Sequence, residues 1–481
     1  MTVDVAIVGS GFGGLGAAVT LTEAGRSVVI LEKAGSVGGT WRENTYPGCA
    51  CDIPSHLYSF SFAPNPDWTH LYARQPEIRA YLEGIADRYG LREHLRFGVT
   101  VTGAEWDGAA WNVATADGGS VRARAVVWAT GPLHEPAIPE IEGLDSFAGT
   151  AFHSAHWDHG QDLRERRVAV IGTGASAIQF VPRIAPDVEH LTLFQRTPPW
   201  ILPKPDRRIP AWLRRAYAVA PILQKLQRAV IYGRNEALVG GFLNPARMTV
   251  VEAVARRHLD RKLAADPELK AKLTPDFTIG CKRILLSNDY YPALTRSNVA
   301  VETGRIARVT ANAVVTEDGV AHEVDTIIFG TGFKVGDTVK QMAVTGRDGV
   351  KLADAGQRGL EGHLGTTFAG FPNMFALCGP NTGLGHNSMV YMIESQLAYV
   401  LDALRIVDAH VAVAIDTRPD RQDAYNAEIQ RRFEGSVWTS GGCMSWYLDA
   451  DGRNRTLWPG YTFDFRRRTR KVDPADHELV G

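Results

Sequence analysis

The chain has 481 residues, 45% of them hydrophobic and 22% charged, with a formal net charge of −1. That length predicts two or three domains with sizeable cores, and the balanced charge offers no footprint for a nucleic-acid partner. No run of about 18 apolar residues marks a membrane span. The start Met1-Thr-Val-Asp-Val enters a strand at once and leaves no room for a signal peptide, so a cytoplasmic enzyme is expected. Cys49, Cys51, Cys281, Cys378 and Cys443 form no zinc spacing. We expect reduced thiols and no metal site.

Val5-Ala-Ile-Val-Gly9-Ser-Gly11-Phe12-Gly-Gly14 reads as a buried strand running into a glycine turn and a helix from Leu15 to Ala24. Glycines there let the backbone approach a pyrophosphate, which rests on the helix N-terminus. Glu32 ends the next strand, where a carboxylate accepts from a free ribose 2′-hydroxyl. A long loop rich in Pro, Tyr and Phe follows. Ala125-Val-Val-Trp-Ala-Thr-Gly131 then reads as a buried parallel strand. Pro132, Pro136 and Pro139 mark a linker.

The pattern returns at Val168-Ala-Val-Ile-Gly172-Thr173-Gly174-Ala-Ser176-Ala177, with Leu191-Thr-Leu-Phe194 as its second strand and Arg196 where the first unit has Glu32. An arginine there pairs with a 2′-phosphate. Two dinucleotides on one chain are therefore expected, FAD first and NADPH second. The Pro-dense stretch 198–205 closes this unit, residues 210–272 read as helical, and Val324-Asp-Thr-Ile-Ile-Phe-Gly330 echoes the strand at 125. The expected fold class is α/β, with two Rossmann-like dinucleotide-binding domains, one inserted in the other, and a mainly helical insertion. Residues 1–145 and 335–481 would form the FAD domain, 146–208 and 276–334 the NADP domain, and 209–275 the insertion.

Two further stretches carry a family resemblance. Phe147, Gly149, His153, Trp157 and Asp158 match Phe-x-Gly-x-x-x-His-x-x-x-Trp-Pro/Asp. Gly38, Gly39, Trp41, Tyr46, Pro47, Gly48 and Asp52 match a second pattern. Together they resemble the signatures of type I Baeyer–Villiger monooxygenases. The resemblance continues through Gln195-Arg-Thr-Pro, Cys281-Lys282-Arg283, Gly379 to His386 and Ser445-Trp446, and is weakest over 205–275. The flavin-containing monooxygenases that oxidise nitrogen and sulfur share the Phe-x-Gly-x-x-x-His portion and remain the alternative. Their usual aromatic and basic pair is absent at Trp157-Asp158.

The resemblance implies a chemistry and a site. NADPH reduces FAD, O2 adds to the reduced flavin, and the anionic flavin peroxide attacks a ketone to give an ester or lactone. Arg283 would supply the fixed positive charge that this anion needs, since arginine stays protonated. Asp52 would hold the guanidinium in place. By the same resemblance Lys33, Gly39, Thr40, Trp41 and Asn387 join the flavin site, Thr197 and Lys282 join Arg196, and Trp446 faces substrate or nicotinamide. His153 is assigned a structural place between the nucleotide domains rather than a proton-transfer role. Phe60, Phe62, Trp200 and Trp446 suggest a small apolar or cyclic ketone. Arg466-Arg-Arg-Thr-Arg-Lys471 reads as a solvated or flavin-proximal tail.

Overall fold

The computed structural model describes residues 1–335, 343–357, 359–449 and 451–481. The expected return to the first domain near residue 335 therefore abuts a segment, 336–342, outside the described residues.

Two parallel cores organise the chain. In the first, β1 (Thr2–Val8) lies between β2 (Val28–Glu32) and β6 (Ser120–Trp128), with β3 (Leu95–Phe97) beyond β2. An antiparallel meander of β4 (Val101–Trp106) and β5 (Trp111–Thr115) extends the sheet past β6, and β17 (Ala343–Thr345) adds to β4. β18 (Met374–Ala376) also pairs β6, in parallel, so late residues complete an early sheet. Val5, Ala6 and Ile7 are wholly buried because both faces of the sheet are covered, which explains their unbroken apolar run. The helix Met389–Ala409 packs on α1 (Phe12–Glu23) to cover one face.

The second core is a five-stranded, all-parallel sheet. Its order is β12 (Val299–Glu302), β9 (His190–Phe194), β8 (Arg167–Ile171), β16 (Thr326–Phe329) and β7 (Thr150–His153). The apolar echo at 324–330 is thus the partner of β8, with Ile328 opposite Val170. A three-stranded antiparallel flap, β13 (Ile306–Val309), β14 (Ala313–Thr316) and β15 (Ala321–Glu323), was not foreseen from periodicity.

Between residues 211 and 272 the structure is helical, as expected: α5 (Ala211–Val219), α6 (Pro221–Glu236), α7 (Val239–Leu243), α8 (Thr249–Lys262) and α9 (Pro267–Lys272). The Pro-dense stretch holds one surprise. Ile201 and Leu202 form β10, paired in parallel with β11, Leu285 and Leu286.

The basic run is not a solvated tail. It lies on the helix Thr462–Thr469, where Arg466 pairs with Glu394, Arg467 with Asp464, and Arg468 with Glu428. The guanidinium of Arg466 also sits 3.8 Å from the centre of the Tyr391 ring. Glu394 and Glu428 on neighbouring helices and Asp464 on the same helix thus pair with three of the run's cations, while Arg470 and Lys471 stay exposed.

Candidate active site

The two glycine turns are built alike. Gly9 has φ +100°, and a Cβ there would stand 2.7 Å from the Ala129 carbonyl oxygen at the end of β6. Gly172 has φ +105°, and its Cβ would stand 2.5 Å from the Gly330 carbonyl oxygen at the end of β16. Gly14 is packed against the Gly9 carbonyl, leaving no space for any side chain. Only glycine tolerates both the backbone angle and the approach. No side chain caps α1, begun by Gly11 and Phe12, or α4 (Ala177–Ile184), begun by Ser176, and neither has an acidic residue in its first turn. The free N–H groups at both helix starts fit an anionic pyrophosphate.

The charges beside the turns differ. Glu32 is buried; its Oε2 accepts from Ser10 N and Oγ, its Oε1 accepts from Ala34 N, and Arg42 stands 3.1 Å away. Lys33 beside it is exposed, and Thr40 and Trp41 open a short helix, Thr40–Glu43, capped by Gly39. A Cβ on Gly11 would stand 3.6 Å from Gly39 Cα, so the turn and this loop face each other. Trp41 Nε1 donates to Tyr58. In the second unit Arg196 is exposed, and Thr173 Oγ1 donates to the Thr197 carbonyl (3.1 Å), tying the glycine turn to the loop after β9. The Lys282 ammonium is held below the usual lysine value, first by burial and then by the like charge of Arg196. Two cations thus face one place, a fit for a dianionic phosphate.

Asp52 and Arg283 come together. Arg283 Nε donates to Asp52 Oδ2 at 2.8 Å, its second nitrogen stands 2.6 Å from the same oxygen, and the third donates to the Leu384 carbonyl at 3.2 Å. The Asp52 charge, acting against burial, raises the Arg283 pKa further, so the guanidinium stays charged at any working pH. Its side chain keeps 36% of its surface exposed, so it is fixed without being sealed. Three contacts to two anchors far apart in sequence, Asp52 and Leu384, are what a positioned cation requires.

How Arg283 arrives there was not legible from pattern. The β10–β11 ladder, reinforced by Leu285 N donating to the Trp200 carbonyl, holds the segment that follows Cys281-Lys282-Arg283. Cys281 is joined to Cys443 by a disulfide, which corrects the expectation of five reduced thiols. Their loops meet where Thr278 N donates to the Gly441 carbonyl, a contact between residues far apart in sequence. The bond ties the Arg283 segment to the loop bearing Trp446 and Tyr447. Cys49 and Cys51 remain thiols, raised by burial, that of Cys49 to about 12.

The Phe147–Asp158 stretch runs along the edge of the second sheet. Gly149 admits the Asp325 carbonyl and the Phe147 ring where a side chain would stand. His153 ends β7 opposite Phe329, its Nδ1 accepts from Ala155 N (3.1 Å), and burial lowers its pKa to about 4. A neutral, packed imidazole agrees with a structural place. Trp157 packs on Phe152 and Phe180, and Phe180 on Tyr46 of the first unit. Asp158 is exposed and caps its own turn by accepting from Gly160 N.

A family model described as flavin-binding monooxygenase-like matches residues 2–338. A Baeyer–Villiger monooxygenase of Pseudomonas aeruginosa is 52% identical over 99% of this chain and 91% of its own length. One from Streptomyces coelicolor is 52% identical over 99% of this chain and 93% of its own. The chain belongs to the Baeyer–Villiger monooxygenases. Among solved structures, a closed cyclohexanone monooxygenase superposes with a TM-score of 0.89 at 31% identity, covering 99% of both chains. An oxidised steroid monooxygenase bound to NADP also reaches 0.89 at 31% identity, covering 100% of both.

Within this Baeyer–Villiger site some expected residues stand elsewhere. The Asn387 amide does not point to a free cofactor surface; it is buried and donates to Glu236 Oε1 at 2.7 Å, bridging α6 to the start of the helix Met389–Ala409. Trp200 and Phe60 are core residues rather than pocket walls: Trp200 Nε1 donates to the Phe277 carbonyl, and Phe60 stacks under Phe62 at 4.7 Å. Trp446 is exposed and leans on Tyr447 (4.6 Å). Two residues near Arg283 escaped the sequence reading. Tyr447 is buried, its phenol raised by burial while the Arg283 charge opposes the shift. Lys204 donates to the Cys51 carbonyl (3.3 Å), beside Asp52. A lone Lys after Pro203, or a Tyr after Trp446, carries no pattern that would single it out.

Proposed function

We infer that this protein consumes NADPH and O2 to insert one oxygen atom beside a ketone carbonyl, yielding an ester or lactone. The observation that carries this reading is the Asp52–Arg283 pair, in a chain that also holds two glycine turns of opposite neighbouring charge. When bound, FAD would supply the redox chemistry, taking hydride from NADPH and passing one oxygen atom of O2 to the substrate while the other leaves as water. The chain's own residues bind, orient and polarise. The N–H groups opening α1 and α4 receive the two pyrophosphates, with Glu32 on the FAD ribose and Arg196 with Lys282 on the NADPH 2′-phosphate. Arg283 holds positive charge where negative charge develops during oxygen transfer, and a preset cation costs no reorganisation at that moment. Asp52 keeps the guanidinium from swinging away, and the Cys281–Cys443 bond ties its segment to the loop bearing Tyr447. His153, neutral near pH 7, supports the edge of the nicotinamide sheet. The substrate is a small apolar ketone, and the enzyme works in the cytoplasm.

The test is oxygen uptake, NADPH consumption and product analysis against a panel of cyclic, linear and aryl ketones beside an aryl sulfide. Stoichiometric ester or lactone supports the reading. Sulfoxide formation without any ester, or NADPH oxidation yielding hydrogen peroxide alone across the ketone panel, would overturn it.

A further inference from the structure

The helical insertion carries an inside-out helix. On α6 the buried positions include Gln224, Asn235 and Glu236, while Ile222, Leu223, Leu226 and Val230 face solvent. Gln224 donates to the Asn65 carbonyl at 2.6 Å, and Arg228 donates to the carbonyls of His56 (2.8 Å) and Ser59 (2.9 Å). The polar side chains are thus spent holding residues 56–65, which leaves the apolar stripe outward. At roughly 100° per residue, those four outward positions share an arc of about 100°, the width of a core-facing stripe. Val219 and Trp212 on α5 extend the patch; Trp212 is 69% exposed and Val230 67%. Clustered apolar side chains of this size on a surface mark an interaction site.

The charge along the segment that carries the patch has one sign. Seven Arg or Lys residues and no Asp or Glu lie between Asp206 and Glu236, in a chain whose net charge is −1. Arg207, Arg208, Arg215, Lys225 and Arg234 are exposed, and none forms an ion pair among the described residues. A second copy docking symmetrically on this face would set those cations against themselves. A span is excluded too, since no described helix is long and apolar enough to cross a membrane. An apolar strip with aromatic Trp212, flanked by unpaired cations, is the composition of a helix lying in a bilayer interface.

We propose that α5 and α6 form a docking face for the surface of an anionic phospholipid bilayer. The apolar stripe enters the boundary between headgroups and acyl chains, and the flanking cations rest on lipid phosphates. Because Gln224 and Arg228 hold residues 56–65, and Asp52 lies just before them, the docked face sits on the structure that frames the active site. The inference does not depend on which ketone the enzyme oxidises, and its readout is binding, not turnover.

The experiment is co-sedimentation of FAD-loaded enzyme with vesicles of phosphatidylglycerol and phosphatidylcholine, beside phosphatidylcholine alone, at low and high salt. Wild type should pellet with the anionic vesicles at low salt, and binding should fall by about tenfold or more on neutral vesicles or at 1 M salt. Leu226→Glu with Val230→Glu should remove binding while flavin content and NADPH oxidation in solution stay at wild-type levels. Arg215→Ser with Lys225→Ser, which leaves the apolar face intact, should weaken binding to anionic vesicles only. Failure of wild type to pellet with anionic vesicles would overturn the proposal, as would pelleting that neither pair of substitutions reduces. So would a dimer, seen by light scattering in wild type, that the Leu226→Glu and Val230→Glu protein no longer forms.

Discussion

The two dinucleotide units share one backbone device and differ in charge. In each, a glycine at positive φ lets the loop after the first strand pass the carbonyl that ends a neighbouring strand, Ala129 in one and Gly330 in the other. In the first unit Glu32 is buried among donors from Ser10, Ala34 and Arg42. In the second, Arg196 is exposed and shares its space with Lys282. The contrast teaches that the fold selects the pyrophosphate, while a few side chains at the strand ends select the nucleotide. It also separates permanence: a carboxylate locked into the core suits a resident cofactor, whereas an exposed arginine beside a half-buried lysine suits one that enters and leaves.

The same substitution made in both units should break this symmetry most sharply. Gly9→Ala places a methyl against the Ala129 carbonyl at a backbone angle that costs about 1–3 kcal/mol for any side chain. We expect protein that purifies without yellow colour. Gly172→Ala meets the Gly330 carbonyl in the same way, so that protein should stay yellow yet reduce its flavin with NADPH at least about 100-fold more slowly. Visible absorbance and anaerobic reduction rates read both outcomes, and flavin loss in both variants would contradict separate roles.

A smaller effect is expected at the phosphate cations. Arg196→Ala should raise KM for NADPH by about 10–100-fold, the range for one desolvated charge contact, and leave KM for NADH within about twofold. Equal changes for both nucleotides would remove the 2′-phosphate from the account.

The smallest effect concerns pH. Lys282 titrates below the ordinary lysine value because burial and Arg196 disfavour its charged form. The charged form binds phosphate, so KM for NADPH should be low below that depressed pKa and climb as pH rises through it. In Arg196→Ala the like charge is gone, and the climb should move to higher pH. Steady-state KM profiles across the alkaline range measure it; an unmoved or downward-shifted inflection would count against the pairing.

Much of this was legible because the relevant signals are local. Val5 to Gly14 and Val168 to Ala177 encode strand, turn and helix within a single short window, and the apolar runs at 125 and 324 mark their sheet partners. Asp52 and Arg283 were legible through the motifs that flank them. What was hidden depends on contacts between distant segments. The β10–β11 ladder uses two residues per strand, too few for any period to register. The Cys281–Cys443 bond and the Glu236–Asn387 contact each join segments that only the folded chain brings together. On α6 the pattern misleads, since Gln224 and Arg228 turn inward to hold residues 56–65 while Ile222, Leu223, Leu226 and Val230 are exposed.

The most direct test of the account is the Arg283→Ala enzyme, followed by stopped-flow absorbance and product analysis with a ketone that the wild type converts. The account predicts flavin reduction by NADPH within about threefold of wild type and ester yield reduced by about 100-fold or more, the usual loss when one preset charge is removed from a transition state. Normal ester yield, or loss of reduction and ester together, would contradict the role assigned to the Asp52–Arg283 pair.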